Sequence, residues 1–137
     1  MTLIAEIKTQ LEDAMREGDA ARRDTLRLIL ASLQGAEKEL QVLQRERKKR
    51  LEAAEAFRNA GREEQADKED FELEVLEEFM PDPLSDDELD EIVDDVIAEV
   101  GATSLRDIGR VMADVMPQVA GRADGSAVSQ LVREKLA

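Results

Sequence analysis

Apolar residues in this chain return every three or four positions, and no run alternates at every second position between turn residues. Leu3, Ile4, Ile7, Leu11, Ala14 and Met15 form the first such stripe. A chain patterned this way buries helix faces against one another instead of pairing strands. Residue types agree: Phe57, Phe71 and Phe79 are the whole aromatic set, and Leu, Val, Ile, Ala and Met must fill the interior. The reading is all-α and multihelical. With 42% hydrophobic residues the chain can bury a core, and its 137 residues suit one domain or two small ones.

Punctuation then sets the helices. The first should run from Thr2, a candidate N-cap, to Glu17, with Gly18 free to take a positive φ behind it. Asp19 can cap a second helix, whose stripe is Leu26, Ile29, Leu30, Leu33, Ala36, Leu40 and Leu43, with Gly35 inside it as a weak point. Two readings stand for Arg22, Arg23 and Arg27: a solvated face paired with nearby acids, or a ligand contact. The helical pattern continues from Gln41 to Asn59, with or without a break near Leu40, and carries the basic block Arg45-Glu-Arg-Lys-Lys-Arg50. That block is too polar for a core seam; it is either a bridge between bundle helices or a mobile, extended end. A further helix is expected from Arg62 to Met80.

Pro81-Asp-Pro83 is the best boundary, dividing an N-terminal helical bundle at 1–81 from a three-helix subdomain at 84–137. Ser85-Asp-Asp-Glu88 reads as a capping box with Leu84 and Leu89 as its staple, and the helix it opens should stop at Gly101. Thr103 or Ser104 starts the next. Ile108, Val111, Met112, Val115 and Met116 share one face, Pro117 is expected to block continuation, and a last helix points Val128, Leu131, Val132 and Leu136 inward.

Charge bounds the function. The net charge is −14, and residues 71–100 hold thirteen acidic side chains and no Lys or Arg. A chain of that sign repels nucleic acid at long range, so any RNA contact must be local. Residues 101–137 are near neutral, with five basic and four acidic side chains. There is no Cys and no His, hence no disulfide, no thiol nucleophile, no triad base and no soft ligand for zinc or copper. No phosphate-cradling or dinucleotide glycine motif occurs, and no acidic run has calcium-loop spacing. No catalytic residue, metal or cofactor is expected. The N-terminus lacks a signal-peptide pattern and no apolar run approaches a membrane span, so a cytoplasmic protein without membrane contact is expected.

One stretch mixes glycine, proline and charge most densely: Ile108 to Gly125. Arg122 sits between Gly121 and Gly125, where glycine permits close backbone approach. Arg122 with the neighbouring backbone N–H groups can meet a phosphate or base edge, and Arg110 can support it. Equally, the glycines can be turn residues, Asp124 a helix cap and Arg122 its partner.

Ile108-Gly-Arg-Val-Met112, then Gly121-Arg-Ala-Asp-Gly125 and Leu131-Val132, resemble the signature of the GatB/YqeY family. Phe79-Met-Pro81, Leu84-Ser-Asp-Asp-Glu-Leu89 and Val100-Gly-Ala102 are similar to its central segment, and Leu26 to Leu33 to its N-terminal helices. The resemblance covers essentially the whole chain. It implies an all-helical protein with two subdomains and kinship with the tail domain of the B subunit of the tRNA-dependent Asp/Glu amidotransferase, which contacts the tRNA body. The family label, a carbon–nitrogen ligase with glutamine as donor, belongs to the larger enzyme. The resemblance thus implies a non-catalytic tRNA-binding or amidotransferase-associated module in translation, with Arg110, Gly121, Arg122 and Gly125 as candidate RNA contacts. Partners would be tRNA and amidotransferase or aminoacyl-tRNA synthetase components. The alternative is a protein–protein adaptor without an RNA role, using the acidic helix after Ser85 and the basic block 45–50 as complementary surfaces.

Overall fold

The computed structural model describes residues 1–137 and shows seven α-helices, one 3₁₀ turn and no strand. The fold is all-α and multihelical. The helices are α1 (Leu3–Glu17), α2 (Ala20–Leu33), α3 (Glu39–Asn59), α4 (Glu63–Glu77), α5 (Asp86–Val100), α6 (Ile108–Val119) and α7 (Gly125–Leu136). The 3₁₀ turn is Leu105–Asp107. The chain divides into two compact units, Met1–Pro81 and Asp82–Ala137.

Side-chain oxygens start several of these elements. Thr2 accepts from the Ala5 amide, Asp19 from Arg22, and Ser85 from Glu88. Each satisfies one of the donors a helix start leaves unpaired. At Ser85 the return contact differs from the expected box: the Glu88 carboxylate accepts from the Ser85 hydroxyl at 3.0 Å rather than from its backbone amide. Gly18 and Gly101 close α1 and α5 with φ of 71° and 68°, in the left-handed region that a Cβ disfavours.

In the first unit, Ile7, Ala14, Leu26, Ile29, Leu33, Leu43, Val75 and Leu76 form one buried cluster. Full burial of such a side chain contributes about 1.5–3 kcal/mol. Helix α2 breaks after Leu33, and Gly35, at φ 74°, makes the turn that lets α3 start at Glu39. Gly35 is therefore a break and not a weak point inside a longer helix. The apolar spacing runs through it because Leu40 and Leu43 pack on the same core from a new helix. Helix α4 ends at Glu77, and Phe79 and Met80 pack on the core from the turn that follows.

Two arginines of the basic block bridge α3 to α4, while Arg45 and Lys49 stay exposed. Arg50 is buried, with Nη1 at 2.8 Å from Glu46 Oε2 and Nε at 3.5 Å from Glu72 on α4. Arg47 reaches Glu77 at 3.6 Å. Burying a guanidinium is tolerable only because carboxylates meet it there.

In the second unit, Val93, Val96, Val111, Val115, Val119, Val128, Val132 and Leu136 form the core, flanked by Leu84 and Leu89. Pro117 does not stop α6: the helix runs two residues past it to Val119. Its ring lies on the exposed side, opposite the buried Val111, Val115 and Val119, so one lost amide bond is outweighed by that stripe. Lys135 clasps two α5 carboxylates, Asp90 at 2.7 Å and Asp94 at 2.9 Å.

Candidate functional site

The corner between α6 and α7 is built on Gly121. Its φ of 74° turns the chain, and the Arg122 and Ala123 amides fold back to the Val119 carbonyl at 2.8 and 3.2 Å. The Arg122 carbonyl accepts from the Leu84 amide at 2.9 Å. Arg122 Nε donates to the Asp82 carbonyl at 2.9 Å, and its Nη2 lies 3.7 Å from Glu88 Oε2. Arg122 therefore ties the α6–α7 corner to the start of α5. The charged donor to a carbonyl is the stronger contact, on the order of 1.5–3 kcal/mol, while the exposed pair with Glu88 adds little. This tie also places Asp82 with the second unit. The side chain is 35% exposed, and its Nε is spent on that carbonyl. It meets Asp82 and Glu88.

The other candidates are spread out. Gly121 is buried, so its amide does not line the surface. Gly125 is the first residue of α7, and a Cβ there would meet Met116 Cε at 3.6 Å, an ordinary contact. Arg110 lies in the first turn of α6, 59% exposed, with Nη2 on Asp107 Oδ1 at 2.9 Å. The 12 residues of α6 span about 18 Å, so Arg110 and Arg122 stand at opposite ends of it. The structure does not bring the four residues into one cluster.

Asp107 organises the α6 start. It accepts from the Thr103 and Ser104 amides at 2.9 and 3.3 Å as well as from Arg110. The Thr103 amide above all, then Arg110, holds its carboxyl below the usual aspartate range.

A shallow depression of about 500 Å³ follows one face of α7, lined by Gly125, Ser126, Ser129, Gln130 and Arg133. It was not anticipated. Its signal is the polar stripe at helical spacing opposite Val128, Val132 and Leu136. Side chains there offer hydroxyls, an amide and a guanidinium, which bind anions and polar groups but activate nothing. No group of three acidic, His or Cys residues is placed to hold a metal ion. No helix is long and apolar enough to cross a membrane.

Residues 4–136 match the family described as Yqey-like protein. The chain belongs to the YqeY family. It is 28% identical, over 96% of its own length and 80% of the other's, to altered inheritance of mitochondria protein 41, mitochondrial, of Pyrenophora tritici-repentis. It is 32% identical to an uncharacterised protein of Schizosaccharomyces pombe, over 61% of this chain and 76% of that one. It is also 34% identical to a glutamyl-tRNA(Gln) amidotransferase subunit of Thermococcus gammatolerans, over 61% of this chain but 14% of that protein. This YqeY-family chain thus shares one stretch with a much longer amidotransferase component.

Proposed function

We propose that this chain is a non-catalytic helical module working beside a tRNA-dependent amidotransferase, and that its second unit meets tRNA through Arg110, the terminal N–H groups of Arg122 and the α7 depression. The likeness to the amidotransferase component carries the reading. The site is consistent with it: it holds binding groups and no nucleophile–base pair. Gly125 stands at the α7 end of the corner, and Gly121 acts beneath the surface by shaping it. Arg122 positions the corner, and Arg110 is the more exposed cation. Two members of the basic block that the adaptor alternative calls on, Arg47 and Arg50, are paired with acids of their own unit.

The test is anisotropy of labelled total tRNA with wild type, Arg110→Ala, Arg122→Ala and the double variant at two salt concentrations. Wild type should bind more weakly as salt rises, and Arg110→Ala should lower the log–log salt slope by about one. An absent salt-dependent affinity, or one unchanged in the double variant, overturns the RNA reading. We also place the chain in the cytoplasm. Cell fractionation checks this, and recovery with mitochondria, the compartment named for the Pyrenophora relative, overturns it.

A further inference from the structure

The outer part of the α3–α4 hairpin is held differently from the rest of the first unit. Leu43 on α3 and Val75 on α4 belong to the apolar core, and between them in sequence three residues are buried: Arg50, Ala54 and Ala66. Phe57 and Leu73 are covered only in part. Two alanines bury little apolar surface, so charges carry much of the closure of this seam.

Those charges close it loosely. The short bonds of Arg50 stay within its own helix, from Nη1 to the Glu46 carboxylate at 2.8 Å and to the Glu46 carbonyl at 3.2 Å. Across the seam its Nε stands 3.5 Å from Glu72, and Arg47 Nε stands 3.6 Å from Glu77. Both Nε atoms are buried without a hydrogen-bond acceptor. Acids crowd the same place: burial first, then the Glu72 charge, pushes the half-buried Glu69 carboxyl above its usual range. Farther out, Arg58 joins the helices by meeting Asp70, Asp67 at 3.4 Å and, at the start of α4, Glu63 at 3.7 Å. Arg58 is 41% exposed, and exposed pairs are weak and screened by salt.

We infer that residues 50–72 open as one piece by local unfolding, while the apolar base of the first unit stays folded, and that ionic strength sets how often they open. Neither half stands by itself once the seam parts. Residues 50–59 of α3 and 63–72 of α4 are each shorter than the roughly 12–15 residues an isolated helix needs in water. Parting therefore melts both, and the loss stops where Leu43, Val75 and Leu76 enter the core. One further contact ties this arm to α2. The Asp24 carboxyl is held below its usual range by Arg23 first, and also by the charges of Arg27 and Lys68. That contact is exposed as well, so salt weakens it along with the Arg58 pairs.

The experiment is hydrogen–deuterium exchange of the full chain, read by mass spectrometry at one pH in about 0.05 M and about 0.5 M NaCl. Amides of residues 50–72 should exchange at least about tenfold faster than those of α2. At the higher salt they should speed up by a further two- to fivefold or so, with α1 and α2 unmoved. Arg58→Ala, a change at an exposed side chain, should speed residues 50–72 alone at low salt. Arg58→Glu, which sets a fourth acid against Glu63, Asp67 and Asp70, should speed them more, and the gap between the two variants should narrow at high salt. Exchange of residues 50–72 in step with α2, an absent salt response, equal rates in the two variants at low salt, or α1 and α2 accelerating with the arm would each overturn the proposal.

Discussion

Arg22 and Glu78, 56 positions apart, are joined by two parallel bonds: Nη1 to Oε2 at 2.7 Å and Nη2 to Oε1 at 3.2 Å. Nη2 also donates to Gln10 at 3.0 Å. One guanidinium thus ties α1, the start of α2 and the segment after α4. The fork geometry makes Lys a poor substitute. Arg22→Ala should lower stability by about 1–2 kcal/mol and Arg22→Lys by roughly half as much, read by urea unfolding. The Glu78 bond raises the Arg22 pKa above its ordinary value. A raised base contributes at every pH below its unfolded pKa, so the Arg22→Ala deficit should stay constant between pH 7 and 10.

Glu69 behaves oppositely. Burial first, then the Glu72 charge, pushes its carboxyl above the usual range, against a pull from Arg50 and Lys68. A carboxyl that holds its proton more tightly when folded costs stability once ionised, and the cost fades as pH falls through the raised pKa. Glu69→Gln should therefore be more stable than wild type at pH 7, by about 0.5 kcal/mol or less. The two melting curves should converge on acidification.

Asp107, with a lowered pKa, gives the reverse sign: it stabilises above the unfolded aspartate pKa and loses that effect as pH falls through its folded value. Asp107→Asn should melt below wild type at neutral pH and match it only in strong acid. On the proposed function it also releases Arg110, so tRNA affinity should rise at low salt.

Two glycines with open space where a Cβ would sit should respond in opposite ways. Gly35→Ala forces a Cβ into φ 74° and should cost about 1–2 kcal/mol. Gly109, in the first turn of α6 with no positive φ, should accept Ala and gain roughly 0.5–1 kcal/mol. Paired thermal melts of the two variants check the contrast.

Helix starts were legible because Thr2, Asp19 and Ser85 announce themselves by residue type. The break at Gly35 was not, because apolar spacing ran through it unchanged. Pro117 misled because its cost depends on which side of the helix it faces, and the stripe Val111, Val115, Val119 fixes that side only after packing. The expectation of a paired surface for Arg22 described its chemistry but not its partner, since 33 acidic residues give sequence reasoning too many choices. Arg122 was readable as an exposed charge at a glycine corner. Its anchor was not, because the Asp82 oxygen that holds it is a main-chain carbonyl, which every residue possesses.

Pro117 has no N–H to give the carbonyl of Ala113, one turn earlier, on the outer side of α6. That oxygen must be hydrated or meet a foreign hydroxyl, amide or cation, since drying it unpaired costs roughly 1–3 kcal/mol. The back of α6 is thereby kept from being sealed beneath a greasy partner, whatever else docks on the molecule.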